Sequence, residues 1–144
     1  MSVTRQQVVE EALSWIGTPF VHNQSVKGIG ADCRGVVSGV VQELRLYAGV
    51  SFPPYTMNPD PRLMREELHK HLDEIGFKAL RPADVVWFRV AREPQHLGVI
   101  VKMDPLTMVH AVNGQTRREV IETVLRPPWN QRVIGCFRYR GLED

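Results

Sequence analysis

Cys33, His96 and His110 are residues whose types, taken together, could break an amide bond without help from a metal. A thiolate attacks a carbonyl carbon, and an imidazole takes the thiol proton and returns it to the departing amine. Cys33 follows Asp32, a residue type that caps helices, and opens a run in which Val36, Val37, Val40, Val41 and Leu44 recur at helical spacing. The cysteine is therefore expected in the first turn of a helix. There, unpaired backbone N–H groups and the positive end of the helix dipole favour thiolate over thiol, and the same N–H groups can hold an oxyanion. Gly30, Ala31 and Gly35 around it are small, so a substrate backbone could come close.

His96 begins a strand pattern in which His96, Gly98 and Ile100 share a face, with Gly98 leaving room beside the imidazole. His110 falls in the next strand pattern. Two adjacent antiparallel strands would set the imidazoles side by side on the face that meets the Cys33 helix, with His110 orienting His96 as an Asp or Asn does in other triads. Each residue also has a plainer account: a buried cysteine is usually a small core hydrophobe, and a lone histidine a ring with a satisfied hydrogen bond. The three together favour chemistry. A zinc hydrolase using Cys33, His96, His110 and Asp32 is the weaker alternative, because these ligands are scattered and no close pair such as Cys-x-x-Cys occurs.

The elements that must position these groups are legible as patterns. Thr4 with Gln7 fits a capping box, and Val9, Ala12, Leu13 and Ile16 then recur at helical spacing until Gly17, Thr18 and Pro19. A loop from Phe20 to Ala31 leads to the Cys33 helix, which its β-branched stripe marks as the central buried one. Four prolines between Ser51 and Pro61 disfavour regular structure, and Leu63, Glu66, Glu67 and Lys70 suggest a short charged surface helix. After Gly76 the pattern turns to strands: Val85–Val90, His96–Lys102, Thr107–Val112, Val120–Leu125 and Val133–Arg140. Helices first and strands afterwards predict one α+β domain over residues 1–144, its nucleophile helix packed on an antiparallel sheet.

Composition narrows the function classes. With 144 residues, 43% of them hydrophobic, the chain can bury one sizeable core. Its formal charge of +2 is spread among interleaved acids and bases, as in Arg62 to Lys70, so nothing points to nucleic acid. The longest apolar runs are strand-sized, well short of the roughly 20 residues a membrane helix needs. Met1 to Glu11 lacks the apolar segment and cleavage site of a signal peptide, so synthesis in the cytoplasm is expected, with any export by another route. Cys33 and Cys136 are both expected to be reduced, Cys136 as core filler. Trp87 and Trp129 are core or groove aromatics, a choice the pattern leaves open.

Trp15 to Phe20, Gly30 to Gly35, Arg81 to Phe88, His96 to Val99 and Val109 to Ala111 together resemble the NlpC-type cysteine peptidases, over nearly the whole stretch from Val8 to Arg140. The spacing is most similar to the branch found in phage tails and gene transfer agents. The resemblance implies a papain-like fold, with Cys33 as nucleophile, His96 as base and His110 as the polar third member. It also implies hydrolysis of the peptidoglycan stem peptide between D-glutamate and a diamino acid such as diaminopimelate, with no metal or organic cofactor. Tail proteins would be the partners, and a virion or tail the working location.

Three residues depart from the family's pattern: Phe20 stands for a Tyr, Arg34 for a small residue after the cysteine, and Ala83 for a Gly in a turn. Phe20, His22, Asp32 and Arg34 are the candidates to line the substrate groove. For Asp32 helix capping is the simplest role, and for His22 the plainer account is a solvated loop residue. The substitutions at 20 and 34 motivate a second class of function, a tail-assembly or wall-binding protein of the same fold with little activity.

Overall fold

A computed structural model describes residues 2–47, 52, 61–90, 93–127 and 129–143. Strand β1 (Val3–Thr4) runs straight into helix α1 (Arg5–Leu13). The capping box forms as expected: Thr4 Oγ1 accepts from the Gln7 N–H at 3.1 Å, and the Thr4 N–H donates to Gln7 Oε1 at 2.8 Å. The helix ends one turn early, at Leu13, and turns follow. Trp15 consequently enters the core while Ile16, expected on the buried stripe, is 43% exposed. Beyond the last helical residue a 3.6-residue period no longer reports direction.

A small hairpin of β2 (Ser25–Val26) and β3 (Gly30–Ala31) precedes α2 (Cys33–Leu44), whose residues from Cys33 to Val41 are all buried. Two glycines let α2 lie this deep. A β-carbon at Gly35 would overlap the Gln24 carbonyl, and one at Gly39 would overlap the Trp15 ring. The irregular proline segment expected from Ser51 to Pro61 lies, apart from residues 52 and 61, outside the described residues. At its end, Pro61 opens α3 (Pro61–His71), a position where the missing N–H costs nothing. The expected charged surface helix forms, and its apolar stripe of Met64, Leu68 and the following Leu72 is buried, while Leu63 is exposed. The charged residues of α3 form its other face.

The sheet consists of β4 (Asp73–Ile75), β5 (Val85–Val90), β6 (Glu93–Met103), β7 (Leu106–Ala111), β8 (Val120–Val124) and β9 (Val133–Arg138), in the order β4-β9-β5-β6-β7-β8 with all neighbours antiparallel. Five strands match the sequence patterns to within a few residues. The sixth, β4, has no apolar pattern because it is a short, mostly exposed edge strand. A last strand, β10 (Leu142–Glu143), pairs in parallel with β1.

Period-two alternation divides the sheet into two faces. Val85, Trp87, Leu97, Val99, Val109 and Ala111 join the valines of α2, the inner residues of α1 and the buried stripe of α3 in the main core. Val86, Phe88, Ile100, Met108 and Cys136 form a second, smaller cluster from the alternate positions. Trp87 is thus a core residue, fully buried with the Arg65 guanidinium 4.9 Å from its ring centre. Cys136 is core filler as expected, a free thiol whose pKa burial raises to about 11.

The turn before β5 ties the layers together. Asp84, completely buried, accepts from Arg5 of α1 at 3.0 Å, from Arg138 of β9 through both oxygens at 2.9 Å, and from the Arg81 N–H at 2.9 Å. Its neighbour Ala83 holds φ at +82°, a conformation that suits glycine and strains a residue with a β-carbon.

Candidate active site

His96 and His110 meet as their strand positions predict. Both are 3% exposed, and His96 Nε2 lies 2.6 Å from His110 Nδ1. The rings stand edge to face at 83°, with Phe88 packed edge-on against His96 at a centroid distance of 4.9 Å. Val99 faces Val109 across β6 and β7, so the two histidines are diagonal neighbours on the same side of the pleat. On the far side of His110, its Nε2 lies 2.9 Å from Thr123 Oγ1 of β8. Burial, and then the proximity of His96, lower the pKa of His110 to about 3. Burial therefore keeps His110 a neutral imidazole at neutral pH.

The body of α2 and the two histidines use alternate strand positions. The histidines share their face with Phe88, Ile100 and Met108, whereas the residues clustered with Cys33 and the α2 valines are Leu97, Val99, Val109 and Ala111. The body of α2 thus rests on the residues that alternate with the histidines, because consecutive strand positions point to opposite sides. One expectation needs correction: the space at Gly98 does not serve the imidazole. A β-carbon there would come within 2.5 Å of the Met108 sulfur, so the glycine makes room for Met108.

Cys33 is the first residue of α2, as the capping pattern predicts, and is 7% exposed. Helix α2 packs on β6 and β7, the strands that carry the histidines. Asp32 positions this helix end. Its Oδ1 accepts from the Gly35 N–H at 2.8 Å, and its Oδ2 accepts from the Asn23 N–H at 2.7 Å, joining the cap to the preceding loop. The carboxylate is buried and directed at backbone groups, so capping accounts for it. His22 stands beside it, with Nδ1 4.0 Å from Asp32 Oδ2 and about a third of its side chain exposed. Arg34 is buried in the first turn, its guanidinium carbon 5.9 Å from the Phe52 ring centre. Phe20 is half-buried against the main core, its backbone bridged to Ala31 and bonded to the Arg118 carbonyl.

Thr123 is the site residue that the sequence reading does not single out. Among the described residues, no three Cys, His, Asp or Glu side chains form a group that could hold a metal ion. No helix among them is long and apolar enough to cross a membrane.

No protein-family model matches the chain, and no curated protein does. Solved structures do match. The domain of the peptidoglycan hydrolase SagA superposes with a TM-score of 0.65 over 94% of this chain and 98% of that one, at 17% identity. The fold is that of the NlpC/P60 domains. An NlpC/P60 family protein from Bacillus cereus gives a TM-score of 0.67 over 96% of this chain and 41% of its own, at 17% identity. A lipoprotein-like NlpC/P60 protein from Staphylococcus aureus gives 0.61 over 97% and 42%, at 19% identity. The chain thus spans less than half the length of these last two, and nearly all of the SagA domain. RipD from Mycobacterium tuberculosis, a non-catalytic NlpC/P60 domain protein described as adapted to peptidoglycan binding, also matches, with a TM-score of 0.59 at 14% identity. Active and inactive members therefore share the architecture.

Proposed function

We propose that the chain is a cysteine amidohydrolase of the peptidoglycan stem peptide, with Cys33 as nucleophile, His96 as general base and acid, and His110 as the group that orients His96. The observation that carries this reading is the buried His96–His110 hydrogen bond on strands that support the Cys33 helix, within a fold whose solved examples include a peptidoglycan hydrolase. In the proposed reaction the Cys33 proton passes to His96 and the sulfur attacks the carbonyl carbon. The Cys33 N–H, at the helix end, donates to the resulting oxyanion. His96 then gives its proton to the leaving nitrogen as the C–N bond breaks, producing a thioester. A water molecule, deprotonated by His96, attacks the thioester, releasing the carboxylate product and restoring the thiol.

Within this reading the bond is the one between D-glutamate and the diamino acid, and the protein works from a phage or prophage tail that opens the wall during DNA delivery. The support for the bond is the resemblance to the NlpC-type peptidases, and for the tail it is the spacing of the motifs around Cys33 and His96. Incubating purified peptidoglycan with the wild type and with Cys33→Ala, followed by mass spectrometry of soluble fragments, tests the chemistry and identifies the bond. Stem-peptide fragments from the wild type alone are expected. Antibodies against the protein should find it in purified particles; their failure to do so would remove the tail assignment while leaving the chemistry intact.

The second reading is a wall-binding or tail-assembly protein without turnover. It is favoured by the buried cation at Arg34 beside the nucleophile and by the existence of a non-catalytic, peptidoglycan-binding relative in fold. Sedimentation with intact peptidoglycan, without release of fragments by the folded wild type, would establish it.

A further inference from the structure

We infer that Thr123 is a positioning residue that completes a diagonal relay across three strands, from His96 on β6 through His110 on β7 to Thr123 on β8, and that it fixes the tautomer of His110. The inference rests on the proposed role of His96 and concerns how that role is sustained. The register places Thr123 opposite Met108 and Ile121 opposite His110, so Thr123 reaches His110 diagonally, just as His110 reaches His96. The three side chains form one continuous hydrogen-bonded row.

Its polarity follows from proton counting. His96 must pass between neutral and cationic forms, and as a cation it carries N–H on both ring nitrogens. Its Nε2–H must then find an acceptor 2.6 Å away, which requires a lone pair on His110 Nδ1. A neutral His110 has that lone pair only when its single proton sits on Nε2, and there Thr123 Oγ1, 2.9 Å away, can accept it. The opposite tautomer would set one N–H against another whenever His96 is protonated. Burial supports this arrangement, since it disfavours a second proton on His110. Thr123 touches neither substrate nor nucleophile in this scheme; it acts through His110 alone.

The test uses the nitrogen chemical shifts of the histidines in the 15N-labelled full chain, a readout that needs no activity. In the wild type at neutral pH, His110 is expected to show a protonated Nε2 and an unprotonated Nδ1. Thr123→Val keeps the shape but removes the acceptor, and should yield a mixture of His110 tautomers; Thr123→Ser should restore the single form. Turnover of peptidoglycan should follow, with kcat lowered roughly tenfold in the valine variant at unchanged KM and recovered in the serine variant. A wild-type His110 protonated at Nδ1 would overturn the inference, as would a valine variant with the wild-type tautomer. The wild-type spectrum decides even if the valine variant does not fold. Absence of turnover in the wild type would sink the hydrolase reading while the nitrogen shifts still judged the relay.

Discussion

The two faces of the six-stranded sheet use the same strands for opposite purposes. On one, Leu97, Val99, Val109 and Ala111 pack with residues of three helices in the main core. On the other, the residues one step along each strand include His96 and His110, and a smaller apolar cluster replaces the helical layer. The comparison shows how an alternating strand separates two roles: one position contributes to the large core, and the next holds a polar group that the core could not tolerate. A change on one face should therefore be felt in folding, and on the other in turnover.

The strongest way to break this division is at the residues proposed to be catalytic. Cys33→Ala should reduce peptide release to the uncatalysed level, and His96→Ala should lower it by about 10²–10⁴-fold, with little change in the urea midpoint for Cys33→Ala. Rates and unfolding curves measured on the same preparations would reveal a mere folding defect. On the helix-covered face Leu97→Ala should show the converse, losing about 2–5 kcal/mol of stability while each folded molecule keeps its turnover. A selective loss of activity in Leu97→Ala would mean the faces are coupled.

His110 belongs to both accounts, and acid sharpens the contrast. Its folded pKa of about 3 lies below the ordinary histidine value, so protons bind preferentially to the unfolded chain. Stability from this group is complete above about pH 6.5, declines as pH falls below that value at up to about 1.4 kcal/mol per pH unit, and is gone below the folded pKa. His110→Gln, which cannot titrate, should remove that part of the acid sensitivity; unfolding midpoints at pH 7 and pH 4.5 measure it. The smallest expected effect lies away from both faces. Ala83→Gly should relieve the positive φ and stabilise the fold by up to about 1 kcal/mol, visible as a small rise in melting temperature with no change in turnover.

Much of this arrangement was legible as pattern. The Asp32–Cys33 helix start, the burial of the α2 stripe and the pairing of the two histidine strands all follow from capping and periodicity, which are local rules. What escaped depends on contacts between distant residues or on which side a pleat faces. Met64 and Leu68 lie in a helix whose many charges suggested solvent, and only tertiary packing shows that its sparse apolar stripe is buried. Strand β4 exists because β9 offers an edge, not because Asp73 and Glu74 favour strands. Thr123 is 13 residues from His110, and nothing in its own neighbourhood distinguishes it from another β-branched strand residue. The choice of face for the histidines needed the helices' positions, which alternation alone does not specify.

The pairing of β1 with β10 has a consequence for how the unit can be carried. Val3 lies beside Leu142, and Thr4 beside Glu143, so the chain enters and leaves the fold at neighbouring points. Polypeptide attached at either side would emerge from one patch of the surface, and the unit could sit within a larger host as a pendant cassette without opening its sheet. Two tethers from one patch would restrict how far the domain can reach but leave it free to pivot.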